Sequence, residues 1–180
     1  MKNLLVLLIL MVGLTALAQP PGRAETASLL NWLIKTHHIH YLQPKTNDGV
    51  FYGNRYLTMK SVLKPDNQID TSRSLSNYLS NEEIAACKTA QPAMLTNWRI
   101  WYKQLPVVFT AGIKSELRLL DKQKTIYTFS NPFWLNKEAT RVLIGEYFSC
   151  GIACGRGDML LCEFKDGKWQ LIARAIITND

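Results

Sequence analysis

The residues best equipped for chemistry are Cys150-Gly151-Ile152-Ala153-Cys154-Gly155-Arg156-Gly157, with Cys87 and Cys162 as the remaining cysteines. Gly151, Gly155 and Gly157 open backbone angles closed to other residues, so a tight, irregular loop between two strands is expected. Four cysteines in an oxidising compartment favour disulfides, with three possible connectivities. Cys150–Cys154 is feasible, because residues four apart in a turn bring Cα atoms within the roughly 4.4–6.8 Å that a disulfide needs. Cys87 shares a helix side with Ile84, and Cys162 alternates with Leu160 and Phe164. A Cys87–Cys162 bond would tie helix to sheet and contribute about 4 kcal/mol by loop closure; Cys154–Cys162 competes with it. Redox catalysis of the thioredoxin type wants Cys-x-x-Cys at a helix start, and a phosphate loop wants Gly-Lys-Ser/Thr; neither is present.

The three histidines stand together as His37-His38-Ile39-His40. On a strand His38 and His40 share a face; on a helix His37 and His40 do. Two imidazoles and a thiolate could hold zinc or copper, but a solvated helix end explains the cluster equally well. Cys150 could be drawn against His38 as a nucleophile and base, yet no hydrolase signature supports it. Glu138 and Glu146 would lie roughly 25 Å apart along one strand, too far for paired-carboxylate glycoside chemistry. Trp98 and Trp101, three residues apart, suit a core better than a stacking platform for sugars or bases.

Cys150-Gly151-x-x-Cys154-Gly155-x-Gly157, followed by Lys165-Asp166-Gly167-Lys168-Trp169, resembles a family of uncharacterised exported bacterial proteins with a C-G-x-x-C-G-x-G loop. Ser130-Asn131-Pro132-Phe133-Trp134 is similar to their S-x-P-x-F segment, with Trp134 in place of Phe. The resemblance spans roughly residues 125–172. It implies an architecture and a compartment, and no activity. The Asp-Gly-Lys-Trp strand is also similar to the last hairpin of NTF2-like and cystatin-like domains.

These residues must be positioned by a chain of 180 residues, 47% hydrophobic and 19% charged, a globular composition suited to one core. Its net charge of +7 is spread along the chain, which favours solubility and weak attraction to anions over a nucleic-acid-binding tail. Lys2, the apolar run Leu4–Leu14 and Ala16-Leu17-Ala18 form a secretory signal, residues 1–18. Residues 19–24 read as an extended leader and 25–180 as a single α+β domain. No later segment approaches a membrane span.

Ala27, Leu30, Leu33 and Ile34 predict a helix over 25–36, and aromatic-rich 50–57 reads as extended. Residues 64–76 read as a long surface loop. Ser80-Asn81-Glu82-Glu83 is a capping box opening a helix; further helices are expected over 93–104 and 113–120. Strands are expected over 124–134, 140–148, 158–165 and 168–178, the last two joined by a tight Asp166-Gly167 turn. The fold expected is N-terminal helices packed on a C-terminal antiparallel meander of about four strands, or alternatively an NTF2-like or cystatin-like cone.

Function is then read as that of an exported, non-catalytic binding or structural protein of the bacterial periplasm or envelope. It would hold a small molecule or an envelope protein through its sheet face or the Cys150–Gly157 loop, with no cofactor and no nucleic acid. The rival is a metal- or thiol-dependent enzyme using His37, His38 or His40 with Cys150 and Cys154.

Overall fold

Arg23–Thr36 forms a helix (α1) whose Leu29, Leu30, Leu33 and Ile34 recur at helical spacing and are all buried. It ends where His38 takes a left-handed conformation, φ 52°, a common way for a helix to stop. The structure, a computed structural model, describes residues 23–46, 55–58, 62–63, 69–70, 73–90, 96–151 and 154–177. The expected signal sequence and residues 19–22 of the leader lie outside them; residues 23 and 24 already belong to α1.

After α1 come β1 (Tyr41–Leu42), a helical turn α2 (Arg55–Thr58), β2 (Val62–Leu63), β3 (Ile69–Asp70), a 3-10 turn (Leu75–Tyr78), α3 (Asn81–Thr89) and α4 (Trp98–Trp101). The chain continues through β4 (Val108–Phe109), α5 (Ile113–Asp121), β5 (Ile126–Phe129), β6 (Phe133–Trp134), β7 (Arg141–Gly151), β8 (Cys154–Lys165) and β9 (Lys168–Ile177). The protein is α+β. Among the described residues the strands form one sheet in the order β3-β2-β9-β8-β7-β5-β1-β4, with β6 also on β7.

This sheet is larger than the four-stranded antiparallel meander expected, and it is mixed. β1 runs parallel to both β4 and β5. The two-residue strands carry no alternation to read, which is why the sequence hides them. Four boundaries also change. Residues 55–58 are helical, where extended chain was expected. The presumed loop 64–76 contains β3 and the buried Leu75. The strand expected over 124–134 splits into β5 and β6 at Ser130-Asn131-Pro132, where Pro132 has no N–H for a ladder. Of the helix expected over 93–104, residues 98–101 are helical and 93–95 lie outside the described residues.

The expected turn chemistry is present. Asp166 and Gly167 have φ of 52° and 76° between β8 and β9. Ser80 Oγ accepts from the Glu83 amide at 3.2 Å, and Glu83 Oε2 accepts from the Ser80 amide at 2.7 Å.

In their middles β7 and β8 are buried on both faces, so each reads there as an apolar run, Val142-Leu143-Ile144 and Met159-Leu160-Leu161-Cys162. Val142, Ile144, Leu160 and Cys162 share one cluster with Leu29, Leu30, Leu33 and Trp98. Leu143, Met159 and Leu161 join Leu57, Leu75, Cys87 and Ala173 in another. Trp169 Nε1 donates to Ser28 Oγ at 3.1 Å, adding a polar contact between β9 and α1.

Candidate functional site: a buried ionic cluster under an aromatic rim

Along β7 the residues on α1's side are Val142, Ile144, Glu146 and Phe148, and opposite them on β8 stand Cys162, Leu160, Asp158 and Arg156. The apolar rows therefore give way to a charged row and then to an aromatic one. Glu146 and Asp158 are direct cross-strand partners, only 2% and 1% exposed. Two like charges so placed repel, and Arg174 of β9 offsets this. Its Nη2 is 3.6 Å from Glu146 Oε2 and its Nη1 is 3.7 Å from Asp158 Oδ2. Arg156 adds a second cation to Asp158 Oδ2, through Nε at 3.2 Å and Nη2 at 2.9 Å.

His37 caps the cluster from the end of α1. Its Nδ1 is 2.5 Å from Glu146 Oε1 and its Nε2 is 3.2 Å from Arg174 Nη2. A guanidinium only donates, so Nε2 accepts and the ring proton sits on Nδ1, facing the carboxylate. This resembles a base held by its carboxylate, but the nitrogen that would act as base is already occupied by Arg174. Two guanidinium groups balance two carboxylates. Burial pushes the Asp158 carboxyl up from its ordinary value, against the opposing pull of Arg156 and Arg174. Among the described residues Asp158 Oδ1 and Arg174 Nε have no hydrogen-bond partner.

The next row outward is Tyr127, Phe148 and Arg156, three cross-strand neighbours. The Tyr127 and Phe148 rings lie 5.7 Å apart, and the Arg156 guanidinium stands 5.7 Å from the Phe148 ring centre. All three are half-buried. Burial, reinforced by the Glu146 charge, pushes the Tyr127 hydroxyl up. Arg156 Nη1 keeps a donor unused by the described residues, on a side chain 37% exposed. This rim can stack a flat or apolar group and offer it a positive charge.

Beyond the rim, a disulfide joins Cys150 to Cys154 at a Cα separation of 5.1 Å, closing the tip between β7 and β8. The described flanks of the segment are strand, with a register shift between Ser149 and Gly151. Ser149 pairs with Gly155 and Gly151 with Cys154, so Gly155 and Gly157 are strand residues. Gly155 is needed for close approach: a Cβ there would meet the Tyr147 hydroxyl and the Phe148 carbonyl oxygen at 3.0 Å. Gly151 has φ 148°.

The Cys87–Cys162 bond is corrected. Cys87 lies in the cluster on one face of the sheet and Cys162 in the cluster on the other, and no disulfide joins them. The error came from taking two buried positions for one core. Cys162 is fully buried, and burial pushes its thiol far up.

The histidines do not gather. His37 is in the cluster, while His38 and His40 are exposed, His40 standing edge-on to Tyr41 with ring centres 4.8 Å apart. No three His, Cys, Asp or Glu side chains converge as a metal-ligand set among the described residues. Glu138 is exposed in the turn before β7, so it does not share a strand with Glu146. Trp98 is buried against Tyr102, ring centres 5.6 Å apart.

Sequence reasoning missed Asp158 and Arg174, and it tried Glu146 only against Glu138, a pair it rejected. A carboxylate in phase with the apolar residues of a buried strand is the signal that could have found Glu146 and Asp158. Arg174 had none, because a register shift between Leu161 and Cys162 turns it to the side of Trp169 and Leu171. Fold and site together define an α+β protein with an internally paired ionic cluster below an aromatic and cationic rim. No protein-family model matches this chain, and no curated protein and no solved structure matches it.

Proposed function

We propose that this chain is an exported, non-catalytic binding protein of the bacterial periplasm or envelope. In this proposal N-terminal helices pack on the C-terminal meander, and a small ligand rests on the sheet face at Tyr127, Phe148 and Arg156. The observation that carries the proposal is the partly exposed guanidinium of Arg156, held against Phe148 and braced from below by buried Asp158. A charge fixed in this way is preorganised for an anionic or polar ligand with a flat portion. The apparent base, His37, is used up by Glu146 and Arg174. The likeness of the Cys150–Gly157 segment to exported bacterial proteins supports the compartment, as does a disulfide at its tip.

The test is intact mass of the exported protein after alkylation under denaturing, non-reducing conditions, with metal analysis of the native sample. The expected result is a chain beginning at Gln19, no adduct on Cys150 or Cys154, an adduct on Cys162, and no stoichiometric metal. Free thiols at Cys150 and Cys154, or bound zinc or copper, would overturn the proposal in favour of a metal- or thiol-dependent enzyme.

A further inference from the structure

On α5, Lys114 and Arg118 stand one helical turn apart, and Lys122 follows one turn on at the helix end, so the three cations form a row along one face. All three are exposed. Among the described residues none of them takes part in an ion pair. The acid nearest in sequence to Arg118, Glu116, is engaged elsewhere, accepting from Gln43 Nε2 at 3.1 Å and Thr110 Oγ1 at 2.8 Å. Like charges four residues apart repel on a helix, while Arg118 in the last turn and Lys122 at the C-cap are favoured by the helix dipole.

The row borders an open surface depression of about 480 Å³, whose lining among the described residues is one side of α5 and its flanks: Ala111, Lys114, Ser115, Arg118, Leu119 and Lys122. Arg118, at the centre, brings the planar fork that grips phosphate through two hydrogen bonds, and the lysines on either side bring point charges. Ser115 adds a hydroxyl, while Ala111 and Leu119 supply apolar wall. The chain's charge of +7 sets the same sign at longer range.

We infer that this cation-lined side of α5 is a second binding site, separate from the sheet face, for a ligand carrying two or more phosphates. The same chemistry is offered by a soluble oligophosphate and by the headgroups of an anionic lipid surface.

The test uses the mature chain at low ionic strength with two probes, inorganic tripolyphosphate by calorimetry and phosphatidylglycerol–phosphatidylcholine vesicles by sedimentation. Binding of tripolyphosphate assigns a soluble ligand, and binding of vesicles alone assigns a lipid surface. In either case Arg118→Gln weakens binding about fivefold, and Lys114→Gln, Arg118→Gln and Lys122→Gln together weaken it about a hundredfold. A control of equal net charge, Lys88→Gln, Lys137→Gln and Lys165→Gln, leaves binding within twofold. Circular dichroism checks that both triple variants are folded. Failure to bind either probe, or an equal loss in the control, overturns the inference.

Discussion

Arg174 is the cation that both buried carboxylates share, lying between two side chains that face each other across the ladder, while Arg156 and His37 each serve one of them. Arg174→Met keeps much of the side-chain volume and removes the cation. The expected loss is about 3 kcal/mol, the low end of the cost of breaking a buried ion pair, because Arg156 still serves Asp158 and His37 still serves Glu146; it is measured as a lower urea midpoint with the slope unchanged. Asp158 gives a pH prediction. Burial raises its folded-state value above the unfolded one, so the native protein holds that proton more tightly. Its contribution to stability therefore falls as pH rises from about 3.9, the ordinary aspartate value, through the raised one. Asp158→Asn removes that dependence. The stability of the parent relative to the variant is expected to be greater at pH 4.5 than at pH 7; the reverse order would mean that Arg156 and Arg174 outweigh desolvation. Sequence periodicity could point to Glu146 and Asp158 as charges in phase with apolar neighbours. Arg174 was beyond its reach, because a bulge inverts the alternation that would place it.

At the scale of the element, Glu83 serves two structures with its two oxygens. Oε2 closes the capping box at the start of α3, and Oε1 accepts from Arg141 Nε at 2.6 Å. Arg141 also donates to the Tyr78 carbonyl, so one guanidinium fastens the 3-10 turn and α3 to the first residue of β7. Ser80→Ala should cost about 1 kcal/mol, as caps do. Glu83→Ala should cost about 2 kcal/mol, since it also removes a charge-assisted hydrogen bond. Equal losses in the two variants, compared by thermal unfolding, would show that the Arg141 contact adds nothing. The capping box was legible because its signature is local, four consecutive residues, and the Asp166-Gly167 turn was legible for the same reason. The short parallel pairs of β1 were not, since nothing in Tyr41-Leu42 specifies which distant strand it joins.

At the scale of the whole molecule, the described residues form a sheet with a core on each face, and that arrangement concentrates stability in its middle. β8 lies between β7 and β9 along most of its length, and Met159, Leu160, Leu161 and Cys162 are all fully buried, alternately against one core and the other. Among the described residues β4, at one end of the sheet, pairs only with β1 and leaves Val108 half exposed. Opening β8 means breaking both cores together, whereas releasing β4 costs a pair of residues. Native-state hydrogen exchange should therefore find the amides of 143–146 and 159–162 exchanging only with global unfolding, while those of 108–110 exchange through local opening. Cys162 provides a second probe of the same event, because its thiol is sealed in the core and its thiolate is strongly disfavoured. Its labelling by a disulfide reagent should keep pace with the slowest amides as urea is added. If Cys162 reacts well ahead of them, the α1 face opens as a unit of its own, and the two cores do not stand or fall together.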